Sequence, residues 1–294
     1  MRPYPFQYLR AESLEHALES LAEHGEDARL LAGGQSLVPM MNLRLARPEV
    51  LIDIDRLALG EVRVAADRIH IGALARHAAV LDNAGVAAAA PVMSEAIARI
   101  GHPSIRRRGT AGGSIAHADP TAEWSALLLL LDGVVAARAK TGARRIAADD
   151  FFDSAFETAL TPGEMILGLD FQLPRAPWGG AFLEFAERDG DFAIAAVAVT
   201  LGLTGARIAS ARVVLSGADT RPRRARAAED LLLGQAFTGE LARAAAATAV
   251  EGLDCLEDLR ATAAYRRHLF EVLTADALEA AYRRTGAAPS GAAP

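Results

Sequence analysis

Hydrophobic and polar positions change period along this chain in a way that divides it. Leu14, Ala17, Leu18 and Leu21 recur at helical spacing between Ser13 and Gly25, which predicts an amphipathic helix capped at both ends. The short apolar run Ala28–Leu31 predicts a strand after it. Alternation in Val62-Arg63-Val64 and Ile69-His70-Ile71 predicts a hairpin, and residues 87–100 and 120–131 carry helical patterns. Residues 134–137 and 165–173 have the composition of strands. Pro174, Pro177, Trp178, Gly179 and Gly180 then punctuate the pattern and suggest a boundary. Beyond it, residues 192–203 and 207–215 form long β-like runs joined by Thr204-Gly205-Ala206, and alanine-rich helical patterns run from Arg223 to about Tyr282. These shifts give a first domain over 1–177, with subdomains of about 1–56 and 57–177, and a second over 178–285. The residues 286–294 are expected to be a disordered tail.

Two glycine-rich turns interrupt this pattern, the first after the strand at 28–31 and the second after the helical stretch at 87–100. Ala32-Gly33-Gly34-Gln35-Ser36, flanked by Leu31 and Leu37, is one, and Thr110-Ala111-Gly112-Gly113-Ser114 is the other. Glycine tolerates positive φ and lets a ligand approach the main chain, so each turn can present consecutive N–H groups to an anion such as a diphosphate. Ser36, at the head of a short helix, can add a hydroxyl, and Thr110 and Ser114 hold the matching places in the second turn. His117 and Asp119 have the composition of an acid–base pair, yet Asp119-Pro120 also reads as a plain helix start, and no catalytic residue is assigned.

Composition narrows the chemistry. The chain has 294 residues, enough for two cores, and 51% of them are hydrophobic. A single cysteine, Cys255, can build neither an internal disulfide nor an iron–sulfur cluster. The formal net charge of -6 argues against nonspecific nucleic-acid binding. No apolar stretch is long enough to span a bilayer, and the N-terminus lacks the order of a signal peptide, so a cytoplasmic location is expected. The sequence contains no G-x-G-x-x-G, Walker or H-E-x-x-H motif, and no metal ligand set is assigned.

Both glycine turns, in order and spacing, together with Glu184-Phe185-Ala186-Glu187-Arg188-Asp189-Gly190-Asp191-Phe192, resemble the FAD-binding medium subunit of the molybdenum hydroxylases of the xanthine dehydrogenase and carbon monoxide dehydrogenase family. The resemblance covers nearly the whole chain. It implies an α+β architecture: a PCMH-type (vanillyl-alcohol-oxidase-like) FAD-binding domain of two α/β subdomains, then a smaller domain of antiparallel sheet and helices. It further implies noncovalent FAD, with the two turns closing on its pyrophosphate. Glu123 falls where the family's acidic residue meets the FAD ribose, and Ile166 where an apolar residue packs on flavin or adenine. Glu184 or Arg188 falls near a lysine that touches the isoalloxazine in relatives, and that lysine is missing here. Phe192 falls near an aromatic that covers a flavin face, and Ala111 replaces the isoleucine usual in the second turn.

The implied role is electron transfer from partner [2Fe–2S] clusters to a final acceptor such as NAD, a quinone or oxygen. The partners would be a large molybdopterin subunit and a small [2Fe–2S] subunit, most simply as a dimer of heterotrimers. Two alternatives stay open at this point: a free-standing FAD-dependent oxidoreductase of the same fold, and an adaptor without FAD.

Overall fold

A computed structural model describes residues 2–175 and 177–287. Residues 288–294 of the expected tail lie outside the described residues. The N-terminal unit is β1 (Gln7–Arg10), α1 (Leu14–His24), β2 (Ala28–Leu31), α2 (Leu37–Asn42) and β3 (Val50–Asp53). Its strands form a parallel sheet in the order β1-β3-β2. Ser13 caps α1 by accepting the His16 N–H at 3.0 Å, and Gly25 ends it at φ 52°, as the sequence indicates. Ala17, Leu18 and Leu21 of α1 pack on Ile52 and Val50 to make a small core.

The middle unit opens with the hairpin β4 (Val62–Val64) and β5 (Arg68–Gly72). Six helices follow: α3 (His77–Leu81), α4 (Ala84–Ala89), α5 (Pro91–Arg99), α6 (Pro103–Arg106), α7 (Ala111–His117) and α8 (Glu123–Leu130). Then come β6 (Val134–Ala139), β7 (Gly142–Ala147), the small hairpin β8 (Phe152–Ser154) and β9 (Glu157–Thr158), and β10 (Met165–Gln172). The main sheet is antiparallel in the order β4-β5-β10-β6-β7.

The C-terminal unit is an antiparallel sheet of β11 (Trp178–Phe185), β12 (Ala195–Thr204), β13 (Arg207–Ser216) and β14 (Arg223–Arg224), followed by α9 (Arg226–Leu232), α10 (Gly239–Val250) and α11 (Ala263–Arg284). Residues on one face of β12 and β13, such as Val197, Val199 and Val213, join Phe270 and Leu278 of α11 in one core. Residues on the other face, Ala196, Ala198 and Val214, join the middle unit's core with Trp124, Leu127 and Leu128 of α8. Helix α8 is therefore buried on nearly every side, which explains a sequence too apolar to show an amphipathic period.

Several elements differ from the sequence expectation. The helix over 87–100 is broken into α4 and α5, because Pro91 has no N–H to donate and disfavours a helical conformation at Ala90, which has φ -144° and ψ 73°. The helix over 120–131 begins only at Glu123: Asp119 Oδ1 accepts from the Thr121 N–H at 2.8 Å and closes a turn instead. Trp178-Gly179-Gly180, which the sequence marks only as part of a boundary, opens β11. A Cβ on Gly179 would lie 2.8 Å from the Thr285 N, so this glycine serves the close approach of sheet and helix. The strand expected from residue 192 starts at Ala195, and β1, β7, β8 and β9 carried no clear signal.

Candidate functional site

The first glycine turn stands at the carboxyl end of β2, between a parallel sheet and the N-terminus of α2. Gly34 has φ +72°, a backbone conformation that strains any residue with a Cβ. Gly33 has another reason to be glycine. Its Cα lies against the main chain of the second turn, and an added Cβ would come 2.8 Å from Gly109 Cα and closer still to the Arg108 carbonyl oxygen. Among the described residues, nothing accepts the N–H groups of Gly33, Gly34, Gln35 or Ser36. Ser36 occupies the N-cap of α2 without spending its hydroxyl on the helix. Gln35 donates to the Gly33 carbonyl at 3.1 Å and braces the turn.

The second turn is built differently. Thr110 caps α7, and its hydroxyl accepts the Gly113 N–H at 3.2 Å. Ala111 and Gly112 donate to the carbonyls of Ala75 and Ala73, and Ser114 donates to Thr110. Gly112 is required because a Cβ there would lie 2.6 Å from the Ala73 Cβ. The expectation that both turns present free consecutive amides therefore holds for the first alone. In the second, helix formation and contact with the chain after β5 consume those N–H groups. Arg76 steadies this region by donating to the Arg108 carbonyl and to Asp55. Arg106 donates to the carbonyls of Ile100 at 2.9 Å and Gly101 at 2.6 Å.

The two turns share the wall of a cavity of about 1420 Å³. Ala32, Gly33, Gly34, Gln35, Ser36 and Leu37 line it from one side. Thr110, Gly112, Gly113 and Ser114 line it from the other. Glu123, Ile166 and Phe192 also reach it, although some seventy residues of chain separate the last from Glu123. Leu31 and Ala111 do not line it; Leu31 belongs to β2, and Ala111 is fully buried. Glu184 is likewise absent from the lining, and its Oε2 is buried with no partner.

Sequence reasoning missed a good part of the wall. His77 lies in it, with Nδ1 accepting the Trp124 indole N–H at 3.0 Å. Burial first, and Arg76 and Arg106 after it, push the His77 pKa down to about 4, so its ring is neutral with the proton on Nε2. The segment from Asp153 to Glu164 supplies another side, held by Arg144, which donates to Glu164 at 2.6 and 2.7 Å. That pairing is the main cause that lowers the Glu164 pKa to about 2. Nothing in the spacing of these residues marks them, because a distant fold contact brings them to the turns.

The cavity's charge sets a condition on its ligand. Arg29 is the single Arg or Lys among the described lining residues, and its guanidinium already donates to the carbonyls of Glu26 and Ala28 at 2.8 Å. An anion here must depend on main-chain dipoles, and the four free amides of the first turn supply them. Glu123 would repel an anion if ionised. Its desolvation, reinforced by Glu184 and Asp119, raises its pKa to about 8, so near pH 7 its carboxyl is protonated and can donate to a hydroxyl or carbonyl. His117, also in the wall, has its pKa lowered by burial against the opposing pull of Asp119. A cavity of this volume, with an amide cradle and apolar side chains such as Leu37 and Ile166 in its wall, suits a dinucleotide.

This fold and this cavity define an FAD-binding flavoprotein domain joined to a sheet-and-helix domain. Residues 4–175 match the family described as the FAD binding domain in molybdopterin dehydrogenase. Residues 180–281 match the CO dehydrogenase flavoprotein C-terminal domain. The 6-hydroxypseudooxynicotine dehydrogenase complex subunit alpha of Paenarthrobacter nicotinovorans is 41% identical over 288 residues, covering 97% of each chain. The carbon monoxide dehydrogenase medium chain of Hydrogenophaga pseudoflava is 34% identical over 97% of this chain and 99% of its own. A solved structure of that organism's carbon monoxide dehydrogenase, lacking the Mo-pyranopterin moiety, superposes with a TM-score of 0.93 at 36% identity, over 97% of this chain and 99% of the other. The chain belongs to the family of FAD-binding medium subunits of molybdenum hydroxylases. It is thus an oxidoreductase subunit, in a family whose members work in multi-subunit complexes.

Proposed function

We propose that this chain passes electrons, through FAD held in the cavity, from [2Fe–2S] clusters of a small partner subunit to a final acceptor such as NAD, a quinone or oxygen. A large molybdopterin subunit would oxidise the organic substrate, and the assembly would be a dimer of heterotrimers in the cytoplasm. FAD, when bound, supplies the exchange between one-electron and two-electron chemistry. The observation that carries the reading is the row of unclaimed N–H groups from Gly33 to Ser36, on residues that line a cavity bounded on another side by the second turn.

The chain's own residues bind and orient. The first turn would hold the diphosphate through its amides and the Ser36 hydroxyl. Thr110, Gly112, Gly113 and Ser114 would shape the opposite side, and the protonated Glu123 carboxyl would donate to a hydroxyl of the cofactor. Ile166, 6% exposed, offers an apolar surface, and Phe192, 62% exposed, offers a ring that can close over a planar group. Glu184 would act through its charge on Glu123 rather than by touching the cofactor.

The test uses the full chain and its complex. The isolated chain should take up FAD with quenching of flavin fluorescence, and acid should release the colour. Gly34→Val should abolish uptake, because its Cβ would be strained at φ +72° and pressed to 3.2 Å from Leu31 and Val38. In the complex, that variant should still let substrate reduce the iron–sulfur clusters while acceptor reduction stops. A chain that is colourless as isolated and takes up no FAD would overturn the proposal.

A further inference from the structure

Phe156 sits in the two-residue connection between β8 and β9, where Ser154 pairs with Glu157. Its φ is 63°, a region that bulky side chains avoid at a cost of about 1–2 kcal/mol and that such turns normally give to Gly, Asn or Asp. Burial does not compensate, since the residue is 57% exposed. Its backbone is nevertheless held firmly: the N–H donates at 3.0 Å to the carbonyl of Ala118, itself in the left-handed region at φ 52°. The ring lies 5.1 Å from the ring of His117, tilted by 45°, and both residues line the cavity. Two strained residues therefore support each other where α7 ends, and the result is an exposed aromatic at the cavity wall. Strain that packing does not repay is a mark of binding sites.

Helix α7 also fixes where this aromatic stands. It runs from the second glycine turn to His117, about 10 Å of axial rise, so a dinucleotide with its phosphates at the turns can bring a ring to Phe156. We propose that Phe156 is a ligand-contacting residue of this cavity, the aromatic lip against which a planar heteroaromatic ring lies. The inference rests on the reading of the cavity as the FAD site. That ring can belong to the cofactor or to an aromatic electron acceptor, and the chemistry recognised is the same: a flat π face stacked on or tilted against the Phe156–His117 pair. His117 suits this role because burial lowers its pKa and so favours the uncharged ring.

The experiment compares the full wild-type chain with Phe156→Gly, Phe156→Asn and the conservative Phe156→Tyr. Three quantities are read: the thermal midpoint of the flavin-free protein, its affinity for FAD by fluorescence quenching, and the reoxidation of the dithionite-reduced holoprotein by dichlorophenolindophenol, with ferricyanide as the non-aromatic control. Phe156→Gly should unfold at an equal or higher temperature, because glycine relieves the strained turn, while ring binding weakens about three- to tenfold. Phe156→Tyr should keep wild-type binding. A fall in FAD affinity assigns the cofactor's ring. Unchanged FAD affinity, with a higher half-saturating dye concentration, an unchanged limiting rate and no effect with ferricyanide, assigns the acceptor. A lower midpoint with FAD affinity and dye saturation unchanged would show a merely structural ring and overturn the inference, as would no change in any quantity. A wild-type chain that binds no FAD fails the cavity reading first and takes this inference with it.

Discussion

At the scale of single residues, the site is governed by who already owns each polar group. Two turns with nearly the same sequence differ in this respect, since the amides of residues 111–114 are spent within the protein and those of 33–36 are not. Glu123 offers a direct check of the cavity's electrostatics. Its pKa is raised from 4.5 to about 8, so between these values the folded chain binds more protons than the unfolded one. Stability from this group is complete at low pH and is lost as pH rises towards 8. Measured against wild type in urea denaturation of the flavin-free chain, Glu123→Gln should therefore be more favourable at pH 8.5 than at pH 4 by at least about 1 kcal/mol. Equal curves at both pH values would show the carboxyl to be solvated. Glu184, raised to about 7 mainly by desolvation, tilts the same curve in the same direction.

At the scale of elements, α8 is the member on which the site depends most. Its first residue reaches the cavity, its Trp124 fixes the His77 tautomer, and its leucines fill the core shared by the middle and C-terminal sheets. Leu127→Ala should cost about 2–5 kcal/mol in urea and should release flavin at a lower temperature. A loss below about 1 kcal/mol would mean that the core between the sheets closes around the gap. Helix α7 supplies a second case. Gly112→Ala inserts a methyl 2.6 Å from the Ala73 Cβ and should cost about 1–3 kcal/mol while weakening FAD binding, as α7 is pushed from the chain that follows β5.

At the scale of the whole molecule, the C-terminal unit is tied to the middle unit by polar contacts as well as by its core. Arg284 of α11 donates to Glu95 of α5 at 2.9 Å and to the Gly180 carbonyl at 2.6 Å, and the Phe182 N–H reaches Glu95 at 3.2 Å. The chain has one cysteine and, among the described residues, no group of three or more His, Cys, Asp or Glu side chains that could hold a metal. In the complexes of this family the iron–sulfur and molybdenum chemistry is carried by other subunits. Expressed with those partners, the protein should co-elute with them on size exclusion. Expressed alone, it should reduce artificial acceptors at most and hydroxylate nothing. Steady turnover of an organic substrate by the isolated chain, free of iron and molybdenum, would sink the subunit role.

The sequence by itself determined the capped helix α1, the strand before the first glycine turn, the hairpin β4–β5 and the β12–β13 hairpin, because each is written in local periodicity, with Gly25 and Gly205 at positive φ marking the end of α1 and the β12–β13 turn. The two glycine pairs were legible for the same local reason, and with them the family. Which amides stay free was not legible, since Ala75 and Ala73 take those of Ala111 and Gly112 from more than thirty residues away. Nor was the wall formed by His77 and by residues 153–164, or the strained ring of Phe156. These arise only when the sheet is closed by β10 and α8 is buried between two sheets, and long-range packing of that kind leaves no period in the chain.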